Sequence, residues 1–121
     1  LFLQPPAVQG GAPTFHALFH DHVSFGGHAF SRDGLTWTYS PTAPFGNVVT
    51  FKDGSTQHMS RRERPHLIFD RDGEITHLVT SVQPPATARK SPPSTEFQTD
   101  FSYTSIVPVE PPGRTIVSAR V

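Results

Sequence analysis

The residues best suited to chemistry surround Glu63, in the segment "RRERP" from Arg61 to Pro65. A carboxyl group can act as a general acid only while it is protonated, so burial or a second carboxylate must raise its pKa. The neighbouring arginines oppose this role, because a nearby cation favours the charged form. Side-chain alternation along a strand predicts that Arg62 and Arg64 point away from Glu63, which leaves Arg61 as its partner. The alternative is a structural ion pair at a sheet edge.

A second candidate site lies in the histidine-rich segment "HALFHDH", residues 16–22. His20 and His22 have the i, i+2 spacing with which two imidazoles on one strand could bind one metal ion. The third ligand would be one of three residues: His16, His66 or Glu63. Ordinary hydrogen bonding at a polar strand end is the simpler interpretation, because no glutamate lies at a matching spacing. His20 and Asp21 could instead line a ligand cleft as hydrogen-bond donor and acceptor.

Composition narrows the function classes. The chain of 121 residues is long enough for one small domain with a modest core. Ten basic residues balance ten acidic ones, which argues against nucleic-acid binding, because that function needs a basic surface. No apolar run is long enough to cross a bilayer, so we expect no membrane partner. There is no cysteine to form a disulfide or to act as a thiolate, and its absence does not identify the cellular compartment. The sequence indicates no cofactor.

The elements that would hold these residues are short antiparallel strands. Thirteen prolines and nine glycines interrupt the chain, and no segment keeps the apolar spacing of a helix. Alternating runs are separated by three Asp-Gly pairs typical of hairpin turns: Asp33-Gly34, Asp53-Gly54 and Asp72-Gly73. The sequence therefore predicts an all-β, antiparallel fold of roughly seven to nine strands. The main predicted runs are 14–20, 26–30, 36–39, 48–51, 66–69, 75–82, 101–110 and 115–121.

The domain organisation follows from the repeated unit of strand, Asp-Gly turn and strand. Reuse of one unit favours stacked β-propeller blades over a sandwich or a barrel. We therefore predict a partial propeller, with a two-blade segment at 1–82. Residues 83–98 hold two Pro-Pro pairs and little to bury, which predicts an exposed loop. Residues 99–121 would form C-terminal strands that complete or extend the last blade.

Two segments resemble a known group of enzymes. "GHAFSRDGLTW" is similar to the strand, turn and tryptophan found in five-bladed β-propeller glycosidases, and Trp37 would then pack between layers. "ERPHLIFDRDGEITHLV" resembles the Glu-x-Pro-x-Leu segment that opens a blade in the arabinanase/xylosidase-like and invertase-like families. The resemblance covers roughly residues 15–82. It implies that Glu63 stands at the position of the general acid, at the inner end of a strand beginning near Pro65.

The chain also departs from that group. Five blades of four strands need on the order of 250 residues or more, and this chain supplies about two blades. The aspartate base of the first blade has no counterpart here. A second aspartate, which tunes the acid in those families, would align with Pro5. The resemblance therefore implies a carbohydrate-active fragment that is not catalytically complete by itself.

The resulting expectations are specific. Glu63 is the candidate general acid, and it should share a concave polar pocket with His20 or Asp21. The candidate substrate-binding residues are His20, Asp21, Arg61 and His66. The expected partners are a carbohydrate and either the missing blades or a second copy of the chain. The alternatives are a non-catalytic structural or interaction module, and a metal-binding β protein that uses His20 and His22.

Overall fold

A computed structural model of the chain describes residues 1–6, 8–22, 25–85 and 102–109. The described residues form nine strands and no helix, which confirms the all-β prediction. None of their segments is a helix that could span a membrane. The strands are β1 (Phe2–Gln4), β2 (Thr14–His22), β3 (Phe25–Ser31), β4 (Thr38–Tyr39), β5 (Val48–Thr50), β6 (Thr56–His58), β7 (Arg61–Phe69), β8 (Ile75–Gln83) and β9 (Tyr103–Pro108).

The strands form three sheets, and every pairing is antiparallel, as predicted. The first sheet runs β1-β2-β3-β4 in chain order, and β5 and β6 form a separate two-stranded hairpin. The third sheet runs β7-β8-β9. Strand β7 lies close to β2 and β3, and the rings of Phe2 and Phe69 meet at 5.8 Å, so β7 joins the third sheet to the first.

The three predicted Asp-Gly turns are confirmed. Gly34, Gly54 and Gly73 have φ angles of 75°, 84° and 83°. These left-handed conformations suit glycine, because it has no Cβ to clash with the backbone. In the second turn, the Gly54 N–H donates to the Phe51 carbonyl at 2.9 Å, and the Phe51 N–H donates to the Ser55 carbonyl at 2.8 Å. These glycines therefore allow the tight turns that reverse the chain between neighbouring strands.

Some sequence predictions are corrected. Strand β1 was not predicted, and β7 begins at Arg61 rather than near Pro65, which lies inside the strand. Trp37 does not pack between layers: it is 38% exposed, and its Nε1 donates to the Gly34 carbonyl at 3.2 Å. The tryptophan therefore closes its own turn. Most of the predicted proline-rich loop and the predicted strand at 115–121 lie outside the described residues.

The core is small and centres on Val49, Met59 and Val82, with Tyr103 packed against it. Buried Arg62 lies beside this cluster and ties two sheets together. Its Nε donates to Thr80 Oγ1 at 3.0 Å, and its Nη1 donates to the carbonyls of Gly46 and Val48 at 3.0 and 3.2 Å. The hairpin β5-β6 is thereby held against the third sheet.

Phe45 completes the contact between the hairpin region and the first sheet. Its buried ring lies 5.2 Å from the Arg62 Cζ atom and presses on Gly26, where a Cβ would overlap it. The Gly26 N–H also donates to the Phe45 carbonyl at 2.9 Å. The absence of a side chain at Gly26 therefore lets β3 approach the segment before β5.

Candidate functional site

Glu63 lies in a polar cavity on the third sheet. The cavity has a volume of about 190 Å³ and is lined by residues of β7, of β8 and of the segment just before β9: Arg61, Glu63, Arg64, Ser81, Gln83 and Ser102. None of these side chains is apolar. A cavity built only of charged, hydroxyl and amide groups can hydrogen-bond a polyhydroxylated ligand at several points.

Strand register explains which side chains line the cavity. Glu63 pairs with Ser81 and Arg61 pairs with Gln83, so these four side chains share one face of the sheet. The opposite face carries Arg62, which pairs with the fully buried Val82. The sheet therefore has a core face and a polar face, and the candidate site occupies the polar one.

A β-bulge next to Glu63 changes this alternation. Glu63 pairs with Ser81 and His66 pairs with Val79, so two residues of β7, Arg64 and Pro65, lie opposite one residue of β8. Arg64 has a φ of 54°, the only positive value for a non-glycine residue in the described chain. Bulges are frequent beside functional sites, because they redirect a side chain.

The bulge explains why the prediction for Arg62 is confirmed and the prediction for Arg64 is wrong. Arg62 points away from Glu63 into the core, as alternation predicts. Arg64 does not follow it, because the bulge turns Arg64 to the cavity side, where it joins Arg61 and Glu63. Two arginines therefore share the cavity with the glutamate, instead of the single partner that the sequence predicted.

The charged groups of the cavity have no partners in the described part of the chain. Within it, neither the guanidinium groups of Arg61 and Arg64 nor the Glu63 carboxylate forms a hydrogen bond or an ion pair. Glu63 is partly buried, whereas both arginines are exposed. At one end the Ser60 hydroxyl donates to the Gln83 carbonyl at 2.9 Å, which fixes the start of β7 against the end of β8. The charged side chains remain available to a ligand.

The other predicted site residues lie elsewhere. His20, Asp21 and His66 do not line the cavity, although β2 and β7 are neighbours. The Asp21 carboxylate accepts a hydrogen bond from the Tyr39 hydroxyl at 2.8 Å, and this bond raises the Tyr39 pKa. Asp21 therefore braces β4 against β2. His66 follows the bulge, where it pairs with Val79.

His16, a candidate metal ligand in the sequence, pairs with His28 and forms part of an aromatic row across the first sheet. His16 Nδ1 and His28 Nε2 are 2.9 Å apart, and the Phe2 ring stacks on His16 at 4.9 Å. Burial, and then the neighbouring His28, lower the His16 pKa. The His16 Nε2 atom is buried, with no hydrogen-bond partner in the described chain. The row packs β1, β2 and β3 against one another. The lowered pKa favours the neutral imidazole of His16.

The described residues hold no group of three or more histidine, aspartate or glutamate side chains able to bind an ion. The His22 side chain, which the metal alternative requires, lies outside what the structure describes. The polar groups that the sequence did not predict are Arg64, Ser81, Gln83 and Ser102. Two of them, Ser81 and Gln83, could have been found from the sequence, because the predicted hairpin at Asp72-Gly73 brings them opposite β7. Comparison of the chain with family models, with curated proteins and with solved structures gives no match.

Proposed function

We propose that the chain is a carbohydrate-binding module built from propeller-type blades, with Glu63 at the centre of its sugar site. The observation that carries this proposal is the all-polar cavity in which Glu63 is partly buried between two arginines, two serines and a glutamine. Sugars expose hydroxyl groups in every direction, so a site of mixed donors and acceptors suits them better than an apolar pocket does.

The architecture supports the propeller part of the proposal. The first sheet is a four-stranded antiparallel meander in chain order, which is the form of one propeller blade. The third sheet is a second meander of three strands, and the Glu63 strand is its first. This position supports the proposal, because the resemblance to five-bladed propeller glycosidases implies a general acid on the first strand of a blade. The described residues form no closed ring of blades.

The chemistry of the cavity favours binding over hydrolysis. Glycoside cleavage uses two carboxyl groups, roughly 5–10 Å apart. Glu63 is the single carboxyl group among the described residues that line the cavity. We therefore expect the isolated chain to bind sugar without cleaving it, and Glu63 to accept hydrogen bonds from sugar hydroxyls.

The size of the cavity limits the ligand. Its volume of about 190 Å³ is below the roughly 300–1,000 Å³ of pockets that enclose a drug-sized molecule. One sugar residue, and not a chain of them, would enter the cavity. A longer glycan would have to place a single residue there and run across the open surface of the sheet.

Titration of the isotopically labelled full chain with a panel of monosaccharides, followed through the backbone amide signals, tests the proposal. We expect the signals of Glu63, Ser81 and Gln83 to shift together as sugar is added. Glu63→Ala should weaken binding about tenfold or more, because a charged acceptor is lost. Glu74→Ala is the matched control, since Glu74 is an exposed carboxylate in the β7-β8 turn.

Two results would contradict the proposal. One is the absence of shifts at the cavity with every sugar of the panel, which would favour the alternative of a non-catalytic structural or interaction module. The other is sugar binding that Glu63→Ala and Glu74→Ala weaken equally, because the sugar would then not depend on the cavity. Release of nitrophenol from aryl glycosides by the unmodified chain would contradict the binding-only part.

A further inference from the structure

We propose that the sugar bound by this cavity is an acidic one, whose carboxylate is held by the guanidinium groups of Arg61 and Arg64. The inference rests on the proposed function and deepens it, because it names the chemical class of the sugar. It follows from the charges of the cavity and from the backbone at Arg64.

The charge balance of the cavity is the first argument. Two guanidinium groups and one carboxylate line it, so its described side chains carry one net positive charge. The whole chain is neutral, with ten basic and ten acidic residues, so the excess is local. Neither arginine is paired within the described chain. A ligand with one negative charge would neutralise the site, and a neutral sugar would leave it charged.

The backbone of Arg64 is the second argument, and it is independent of charge. The φ of 54° puts a side chain with a Cβ in the left-handed region, at a cost of roughly 1–2 kcal/mol. The following Pro65 restricts the preceding residue further, since its ring disfavours helical conformations there. Glycine would fill this bulge position without strain. A strained arginine at a cavity is best explained by a use for its guanidinium.

The shape of the guanidinium favours a carboxylate as the anion. Its planar fork of N–H donors matches the two oxygens of a carboxylate in a bidentate pair. Glu63, on the same face, would repel the ligand carboxylate and attract hydroxyl donors. The acid group would therefore lie towards the arginines, with ring hydroxyls towards Glu63 and the Ser81 side chain. A sulfated sugar is the competing anion, and the experiment includes it.

Calorimetric titration of the full chain with matched sugars tests the inference. The ligands are glucuronate and galacturonate, their neutral parents glucose and galactose, and the 6-sulfates of both parents. Each uronate differs from its neutral parent only at carbon 6, so the ratio of their affinities measures the contribution of the carboxylate to binding. We expect at least one uronate to bind about tenfold or more tightly than its parent, because charge-assisted hydrogen bonds are added.

Three variants connect that preference to the cavity. Arg64→Gly should abolish the preference for the uronate while leaving the melting temperature almost unchanged, since glycine tolerates the left-handed backbone. Arg61→Gln should weaken uronate binding about tenfold. Arg71→Gln is the control, because it removes the same charge from the exposed β7-β8 turn and should change the ratio little.

The possible outcomes separate the two proposals. If no sugar binds, both the proposed function and this inference fail. If uronate and parent bind equally, or if Arg71→Gln lowers the ratio as much as Arg64→Gly does, the inference fails and the sugar site stands. Tighter binding of the 6-sulfates than of the uronates would overturn the assignment of a carboxylate. A uronate preference that only the two cavity variants remove is the supporting result.

Discussion

The three arginines next to Glu63 have two different environments. Arg62 is buried, and its guanidinium donates to Thr80 and to two backbone carbonyls while lying over the Phe45 ring. Burial lowers the pKa of Arg62, since the charged form loses water, and these acceptors compensate. Arg61 and Arg64 are exposed at the cavity. One arginine therefore supports the fold, and two are available for a ligand.

The first prediction concerns this buried arginine. Arg62→Met should reduce the free energy of unfolding by about 2–4 kcal/mol, because it leaves Thr80 and two carbonyls without their donor. Denaturation in urea measures the loss. Arg71→Met, at an exposed turn position, should stay within about 0.5 kcal/mol of the unmodified chain. Equal stability of the two variants would mean that the Arg62 contacts contribute nothing.

The second prediction concerns the turn at Asp33. Its carboxylate accepts hydrogen bonds from the N–H groups of Leu35 and Thr36 at 2.8 and 2.7 Å and from the Ser31 hydroxyl at 3.0 Å. The two backbone bonds, then the hydroxyl, lower the pKa of Asp33 to about 2. Its contribution to stability is therefore complete above an ordinary pKa of 3.8 and is lost as the pH falls through about 2.

Carboxyl signals followed by NMR between pH 5 and pH 1.5 check this expectation. The Asp33 signal should titrate near pH 2, and the amide signals of Leu35 and Thr36 should move with the same midpoint. Asp33→Asn should remove that transition, whereas Asp72→Asn, at the matching position of another Asp-Gly turn, should preserve it. A midpoint near 3.8 in the folded chain would contradict the hydrogen-bonded turn.

At the scale of elements, most strands and the Asp-Gly turns were predictable, whereas β1 and the bulge in β7 were not. Period-two runs and Asp-Gly pairs depend on neighbouring residues alone, so β2, β3, β8 and their turns follow from local chemistry. The bulge depends on how β7 aligns with β8 over its whole length. Arg62 and Leu67 both pair with buried residues, yet five positions separate them, and an odd separation requires one extra residue.

The candidate site was predictable in part for the same reason. Side-chain alternation correctly predicted that Arg62 points away from Glu63. It gave the wrong side for Arg64, because the bulge places Arg64 on the cavity side. The burial of Arg62 could not be predicted from the sequence either. Two of its acceptors are the carbonyls of Gly46, which precedes β5, and of Val48, which lies in β5 of another sheet. Long-range contacts of this kind leave no periodic signal in the chain.

The third prediction tests how β3 meets the segment before β5. Gly26→Ala should destabilise the chain by about 1–3 kcal/mol, because the new Cβ would overlap the buried Phe45 ring. Gly46→Ala is the control, since a Cβ there meets nothing within 4 Å. Chemical denaturation of both variants gives the comparison. A Gly26→Ala variant as stable as Gly46→Ala would show that the ring moves aside without cost.

At the scale of the whole molecule, few buried residues connect three sheets. The buried hydrophobic side chains in the described chain are Phe45, Val49, Met59, Leu78 and Val82. Other apolar side chains lie at the surface, with Leu35 87% exposed and Ile106, on the edge strand β9, 59% exposed. Exposed apolar side chains and open sheet edges gain stability when another element covers them. We therefore expect an isolated copy of the chain to be less stable than a covered one.

The fourth prediction follows from that shortage of core. We expect the isolated chain either to self-associate or to melt below about 45 °C, the lower end for mesophilic domains. Analytical ultracentrifugation at several concentrations, combined with thermal melts, distinguishes the two. A monomer at every concentration that melts sharply and reversibly above about 65 °C would contradict the prediction.

The bulge in β7 has a consequence for insertions and deletions. Loss of one residue from a regular strand turns every later side chain to the other face. Loss of Arg64 would instead absorb the bulge, and Arg62, Glu63 and Leu67 would all keep their present facing. The strand is thus one residue longer than its pairing requires. The extra residue is the strained arginine of the cavity, so a shortened chain would keep the fold and lose one of the two cations.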